Sequence, residues 1–181
     1  MTADMKVVLI TGCAGFIGSS LSKKFLQENY KVIGIDNLND YYDQNLKVAR
    51  LKDIDNFVKG NKAIWSFCKL SLDDSSSINK LFLESKPNIV INLAAQAGVR
   101  FSIKNPSTYV KSNLNGFFNI LENCRIHKVD HLLYASSSSV YGSNKEYPFN
   151  ENQKINTPLS FYAATKISNE MMAYSYSNIY K

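Results

Sequence analysis

A glycine-rich segment near the N-terminus constrains the fold more than any other part of the chain. It runs from Gly12 to Gly18 with a glycine at every third position, and it directly follows the apolar residues Val7–Thr11. A strand that turns through such a loop into a helix is typical of dinucleotide-binding folds, because glycine permits left-handed backbone angles and lets the backbone approach a pyrophosphate. The positive N-terminal end of the helix attracts the same anionic group. We therefore predict cofactor contacts at Gly12, Gly15, Phe16, Ile17 and Gly18.

A second apolar run that ends in an acid indicates which dinucleotide is bound. Residues Val32–Ile35 lead into Asp36, at the place where an acidic residue holds the ribose hydroxyls of an adenosine. This carboxylate would repel a 2′-phosphate, and Asn37–Asp40 contain no arginine or lysine to offset it. The pattern predicts NAD rather than NADP, with Asp36 and Asn37 at the ribose. A solvated turn aspartate is the alternative.

The composition fits one globular domain without a metal or nucleic-acid site. The 181 residues are 45% apolar and 20% charged, which is enough for a buried core. The net charge is +6, but the lysines are scattered and form no basic cluster with interleaved aromatic residues. The three cysteines lie far apart and the two histidines lack neighbours of ligand type, so we expect no disulfide framework and no metal.

The N-terminal residues and the hydropathy predict a cytoplasmic protein. Residues 1–6 lead directly into the first apolar run, which leaves no room for a signal peptide. No apolar stretch approaches the length of a membrane span. We therefore expect a soluble protein without a membrane partner.

Apolar runs alternate with helix-compatible stretches, which predicts an α/β fold with a doubly wound parallel sheet of the Rossmann type. The predicted strands are Val7–Thr11, Val32–Asp36, Ile64–Leu70, Ile89–Leu93 and His131–Ser136. The predicted helices are Phe16–Asn29, Leu46–Val58, Ser75–Ser85, Ser107–Cys124 and Ser160–Tyr180. Because no strand follows the last helix, we expect a single Rossmann domain over residues 1–181 that is truncated before the last strands.

A serine-rich segment and a tyrosine–lysine pair are the candidates for chemistry. The last predicted strand runs into Ser136–Gly142, and Tyr162 and Lys166 follow at the start of a helix. Four residues apart on a helix, these two share one face, so the ammonium can favour the phenolate. Strand alternation would place Ser137 and Ser139 on one face. A surface pair and a serine turn without a reactive role are the alternatives.

Together these motifs resemble the extended short-chain dehydrogenase/reductases, the group of sugar-nucleotide epimerases and dehydratases. The resemblance rests on Thr11–Gly18, on Ser136–Gly142 and on the Tyr162/Lys166 pair, and it covers nearly the whole chain. Three further segments are similar to those of UDP-glucuronate 4-epimerases, namely Asp36–Asp43, Leu93–Arg100 and Tyr134–Gly142.

The resemblance implies an NAD-dependent 4-epimerase that converts UDP-glucuronate to UDP-galacturonate for polysaccharide precursors. In such enzymes the tyrosine removes the proton of the sugar 4-hydroxyl while the C4 hydride moves to NAD, and hydride returned to the other face inverts the centre. The resemblance also implies a homodimer and a lobe after the catalytic helix that grips the nucleotide-diphosphate sugar, which this chain lacks. The alternatives are another sugar specificity, of the UDP-glucose/galactose type, and an inactive NAD-binding fragment.

The same resemblance assigns roles to individual residues. It implies catalysis by Ser137, Ser139, Tyr162 and Lys166, and cofactor contacts at Leu93, Ala94, Ala95 and Asn113 as well as at Tyr162 and Lys166. It implies substrate contacts at Ser137, Ser138, Ser139 and Tyr162. Arg100 is a candidate for the sugar carboxylate or a phosphate, since a guanidinium binds either bidentately. Ser71 stands where relatives usually carry an adenine-binding aspartate, from which we expect a reduced cofactor affinity.

Overall fold

Within residues 5–180, which the computed structural model describes, five parallel strands form one sheet. The strands are β1 (Val7–Thr11), β2 (Lys31–Asp36), β3 (Trp65–Lys69), β4 (Ile89–Asn92) and β5 (His131–Tyr134). Their order across the sheet is β3-β2-β1-β4-β5, so the direction of winding reverses between β1 and β4. In sheets of this kind, ligands bind beyond the carboxyl ends of the strands at such a reversal.

Helices connect the strands. They are α1 (Phe16–Gln27), α2 (Gln44–Lys59), α3 (Ser75–Ser85), α4 (Val99–Lys104), α5 (Pro106–Tyr109), α6 (Gly116–Ile126) and α7 (Phe161–Tyr180). Residues Val110–Asn115, here called the π segment, join α5 to α6 with π-helical geometry, and Ser138–Tyr141 form a short 3-10 helix. Of the helices that the structure describes, none combines the length and the apolar character that a membrane crossing requires.

The core lies on both faces of the sheet. On one face, Leu9 and Val90 pack with Phe82 of α3 and Ile120 of α6. On the other face, the strand side chains that alternate with these pack with Leu26 of α1 and Ile54 of α2; they are Val8, Ile10 and Val32. Because both faces of the central strands β1, β2 and β4 are covered, these strands are nearly continuous apolar runs. The predicted doubly wound parallel sheet is confirmed.

The predicted strands and helices differ from the observed ones mainly at their boundaries. The strand over Val7–Thr11 and the helix over Ser75–Ser85 are found as predicted. The helix predicted over Ser107–Cys124 begins instead at Pro106 and contains the π segment. The sequence patterns did not predict α4, which is only 6 residues long.

The strand predicted to reach Ser136 ends two residues earlier, and this changes the interpretation of the serines. Asn92, the last residue of β4, pairs with Tyr134, so the next residues have no neighbouring strand to continue the ladder. The chain then turns and forms the 3-10 helix that begins at Ser138. Strand alternation therefore does not extend over Ser137 and Ser139, and their placement on one face stays a prediction.

Candidate functional site

The glycine loop between β1 and α1 is enclosed by backbone atoms. Gly12 has a φ of +72°, and a Cβ atom there would lie 2.9 Å from the backbone nitrogen of Ala94. A Cβ atom on Gly18 would collide with the carbonyl oxygen of Gly12. Gly15 gives α1 no side-chain cap, and the first turn of the helix carries no acid. The N-terminal end of α1 thus keeps the positive potential that attracts an anion.

The loop opens into a cleft of about 300 Å³ at the carboxyl ends of the strands. Residues that follow four of the five strands line it, so the cleft lies where the topology predicts a ligand. Of the predicted cofactor residues, the lining contains Gly12, Gly15, Phe16, Asp36, Asn37, Leu93, Ala94 and Ala95. The other predicted cofactor residues lie outside this lining; they are Ile17, Gly18, Asn113, Tyr162 and Lys166.

Asp36 is held at the end of β2 by two backbone donors. Its side chain accepts hydrogen bonds from the backbone N–H of Ala14, at 3.2 Å, and from that of Leu38, at 2.8 Å. The residue is 8% exposed and lines the cleft. These bonds fix one carboxylate beside the glycine loop, the position that a ribose-binding acid requires.

Ser71 lines the same cleft beyond β3. Its hydroxyl donates to the carboxylate of Asp73 at 2.5 Å. The acid expected at position 71 is therefore replaced by a hydroxyl that is already engaged with a neighbouring acid.

Two cations of α2 belong to the cleft and were not predicted from the sequence. Lys47 and Arg50 both line it. The ammonium of Lys47 donates to the backbone and side-chain oxygens of Asn39, at 3.0 and 2.7 Å, and lies 3.9 Å from Asp36. Burial lowers the pKa of Lys47, which the negative charge of Asp36 partly counteracts. Their spacing was a usable signal, because residues three apart on a helix share one face.

The serines after β5 have separate partners. Ser136 donates to the carboxylate of Glu170 on α7. The hydroxyl of Ser137 accepts from the backbone N–H of Ser139 at 3.2 Å and caps the 3-10 helix. Ser138 is exposed, while Ser137 and Ser139 are half-buried.

Tyr162 and Lys166 lie in the first turns of α7, which packs beside the end of β5. Lys166 is 4% exposed, and its ammonium donates to the backbone carbonyl of Ala135 at 3.0 Å. Burial lowers the pKa of Lys166 to about 8. The ring of Tyr162 packs edge-on against that of Tyr109, with 6.1 Å between the ring centroids. The lysine therefore attaches the helix that carries Tyr162 to the start of the serine segment.

Asn113 connects the loop after β4 to α7. Its side-chain oxygen accepts from the backbone N–H of Gln96 at 2.7 Å, and its side-chain nitrogen donates to the carbonyl of Gln96 and to the hydroxyl of Thr165, both at 3.1 Å. The side chain of Asn169 donates to the backbone carbonyl of Asn113 at 2.6 Å. Because both donors of the Asn113 amide are used within the protein, the predicted cofactor contact stays a prediction.

Arg100 lies in the first turn of α4, where it is exposed and outside the lining of the cleft. Its role with a substrate stays a prediction. Within residues 5–180, no cluster of three or more histidine, cysteine, aspartate or glutamate side chains is arranged to hold a metal.

Comparisons with curated proteins give relatives along almost the whole chain. Protein CapI of Staphylococcus aureus is 51% identical over 173 residues, which are 96% of this chain and 50% of that protein. A probable UDP-glucuronate 4-epimerase of Rhizobium meliloti is 42% identical over 96% of this chain and 49% of its own length. The chain thus spans about half the length of the curated relatives it matches.

Solved structures share the fold. The UDP-glucuronic acid 4-epimerase of Bacillus cereus, in complex with UDP-glucuronic acid and NAD, is 32% identical with a TM-score of 0.84, and the match covers 96% of this chain and 53% of that one. The UDP-glucose 4-epimerase of Thermotoga maritima, with UDP-glucose, is 31% identical with a TM-score of 0.82, over 96% of this chain and 52% of that one.

A family model agrees with these likenesses. The model described as GDP-mannose 4,6 dehydratase matches residues 9–181, which is nearly all of the chain. The match includes the glycine loop, the serine segment and the Tyr162/Lys166 pair. The chain therefore belongs to the GDP-mannose 4,6 dehydratase family of the extended short-chain dehydrogenase/reductases.

Proposed function

We propose that this chain is the NAD-binding part of a nucleotide-sugar 4-epimerase whose substrate is UDP-glucuronate. The observation that carries the proposal is the cleft at the winding reversal, which combines a glycine loop with a buried Asp36. The Tyr162/Lys166 helix follows in the chain order that the family resemblance implies. No acidic pair accompanies the serines after β5, which favours epimerisation over dehydration within the family.

The cleft offers groups that suit the pyrophosphate and the adenosine ribose of NAD. Backbone atoms approach Gly12 and Gly18 so closely that a Cβ atom at either position would displace them. The tight turn of the loop therefore requires glycine at both positions, as a pyrophosphate-binding loop does. Asp36 faces the same cleft with a fixed carboxylate that can accept both ribose hydroxyls. Ala94 and Ala95 also line the cleft, and the Ala94 backbone lies next to Gly12.

The chemistry proposed for this chain depends on three kinds of side chain. When bound, NAD would supply the acceptor and donor of the C4 hydride. Tyr162 would remove and return the proton of the 4-hydroxyl, and Lys166 would favour its phenolate by charge. Ser137 or Ser139 would orient the hydroxyl. The half-buried positions of these serines, next to the carbonyl that Lys166 contacts, are compatible with that role.

UDP-glucuronate is proposed as the substrate because of sequence likeness. The Rhizobium meliloti relative is 42% identical, and the Bacillus cereus structure holds UDP-glucuronic acid. Arg100 would offer a guanidinium to the sugar carboxylate. The UDP-glucose type is the second candidate, because the Thermotoga maritima structure has nearly the same similarity.

Two measurements on the purified 181-residue chain test the proposal. Calorimetry should give one NAD bound per folded chain. Proton NMR of the anomeric region, with NAD and UDP-glucuronate, should show UDP-galacturonate forming with the wild type and not with Tyr162→Phe.

Each contrary result has a distinct meaning. A folded chain that binds no NAD would overturn the proposal. Conversion of UDP-glucose but not of UDP-glucuronate would make UDP-glucose the substrate in place of UDP-glucuronate. NAD binding without any conversion would reject epimerase activity for this chain and leave an NAD-binding module.

A further inference from the structure

The positive charges of α2 bear on how the cleft distinguishes NAD from NADP. Asp36 is followed by four residues without a cation, yet the folded chain brings Lys47 and Arg50 to the same cleft. We propose that Lys47 and Arg50 set the cofactor selectivity by offsetting the charge of Asp36. The inference rests on the proposed NAD binding and concerns the ribose end of that site.

Lys47 acts on Asp36 from a fixed position. Two hydrogen bonds to Asn39, at 2.7 and 3.0 Å, hold its ammonium 3.9 Å from the Asp36 carboxylate. The Lys47 side chain is 5% exposed and that of Asp36 is 9% exposed, so solvent screens the pair weakly. Because its donors are directed to Asn39, Lys47 is a positioning residue that screens the acid.

Arg50 is the cation that can bind the 2′-phosphate of NADP. One of its terminal nitrogens donates to the carbonyl of Ala14 at 3.3 Å and to the hydroxyl of Tyr42 at 3.2 Å. The backbone N–H of the same Ala14 donates to Asp36, so the acid and the guanidinium flank one residue of the glycine loop. A guanidinium has five N–H donors on three nitrogens. Both contacts of Arg50 use the same nitrogen, so the other two nitrogens keep donors for a phosphate.

The charge balance of the cleft favours an anion. Among the lining residues that the structure describes, Asp36 is the one acid, against the two cations Lys47 and Arg50. Asp40 lies close enough to Lys47 to act on its charge, but it is exposed. The cleft therefore rejects a 2′-phosphate less strongly than Asp36 alone would, and it should bind NADP measurably while preferring NAD.

Calorimetric dissociation constants for NAD and NADP test this inference on the full chain. The decisive quantity is the ratio of the NADP constant to the NAD constant. Lys47→Met should raise this ratio about fivefold, because the unscreened acid repels the 2′-phosphate. Lys47→Gln, which can still bond to Asn39, should do the same, and Lys47→Arg should keep the wild-type ratio. Arg50→Met should raise the ratio by weakening NADP binding.

A matched control separates the charge at this site from charge in general. Lys52→Met removes a cation from the same helix at an exposed position and should leave the ratio unchanged. If Lys47 had only a structural role, its substitution would weaken the binding of NAD and of NADP equally. An unchanged ratio in Lys47→Gln and in Arg50→Met would therefore overturn the inference. Failure of the folded wild type to bind either cofactor would instead reject the proposed function.

Discussion

The side-chain amide of Asn169 donates to the backbone carbonyl of Asn113 at 2.6 Å, and this bond attaches α7 to the π segment. The carbonyls of a π segment pair with donors five residues ahead instead of four, and the Asn169 amide gives the Asn113 carbonyl a side-chain donor from a different helix. Asn169 is 3% exposed and lies one turn after Lys166. The contact thus helps to hold the candidate catalytic helix against the loop after β4.

We expect Asn169→Leu to destabilise the fold. The substitution leaves the carbonyl of Asn113 buried without its donor, which costs about 1–3 kcal/mol. Chemical denaturation of the purified chain measures the change. Asn178→Leu is the matched control, because Asn178 donates to the carbonyl of Tyr174 from an exposed position on the same helix. An equal loss in both variants would contradict the role of Asn169.

Gly18→Ala should abolish NAD binding and destabilise the chain. The new Cβ atom meets the carbonyl of Gly12, a backbone atom that cannot move without changing the loop. Overpacking of this kind costs about 1–3 kcal/mol. Gly60→Ala is the control, since its Cβ atom would come no closer than 3.7 Å to a neighbour. Unimpaired NAD binding by Gly18→Ala would contradict the proposed position of the pyrophosphate.

The buried Lys166 should give stability a measurable pH dependence. Burial lowers its pKa from 10.5 to about 8 in the folded chain, so the unfolded chain binds more protons between these values. The contribution of Lys166 to the free energy of unfolding therefore rises with pH between about 8 and 10.5, by about 1.4 kcal/mol for each pH unit. Urea denaturation at several pH values should show this rise in the wild type and its absence in Lys166→Met. The same pH dependence of the free energy of unfolding in the wild type and in Lys166→Met would contradict the prediction.

Ser71→Asp should tighten NAD binding. The cleft at this position offers a hydroxyl that is already bonded to Asp73, where relatives are expected to present an acid to the adenine. A hydrogen bond to a charged group contributes about 1.5–3 kcal/mol, which corresponds to at least about a tenfold gain in affinity. Ser75→Asp, at an exposed position at the start of α3, is the control for added charge. An unchanged dissociation constant in Ser71→Asp would contradict the role of this position.

The centre of the sheet could be predicted because β1, β2 and β4 are buried on both faces. Val7–Thr11 and the other core strands are apolar at almost every position, which separates them from the amphipathic helices. The ends of the strands are harder to predict from the sequence, because a strand ends where the neighbouring strand stops pairing with it. Tyr134 is the last residue of β5 for this reason, and nothing in the apolar pattern marks it.

The candidate site was predictable only in part. The glycine loop and Asp36 have local signals in the sequence. The partners of Asn113 lie 17 and 52 residues away, and no local pattern identifies them. Lys47 and Arg50 could not be predicted from the residues directly after Asp36, because they enter the cleft from α2.

Transient oxidation at C4 of a UDP-sugar can be tested by an isotope experiment. The chain is incubated with NAD and UDP-glucuronate that carries deuterium at C4, and the product is analysed by NMR and mass spectrometry. We predict UDP-galacturonate that retains the deuterium at C4, with no net reduction of NAD. A folded, NAD-bound chain that forms no product, or a product with hydrogen in place of the deuterium at C4, would contradict the claim.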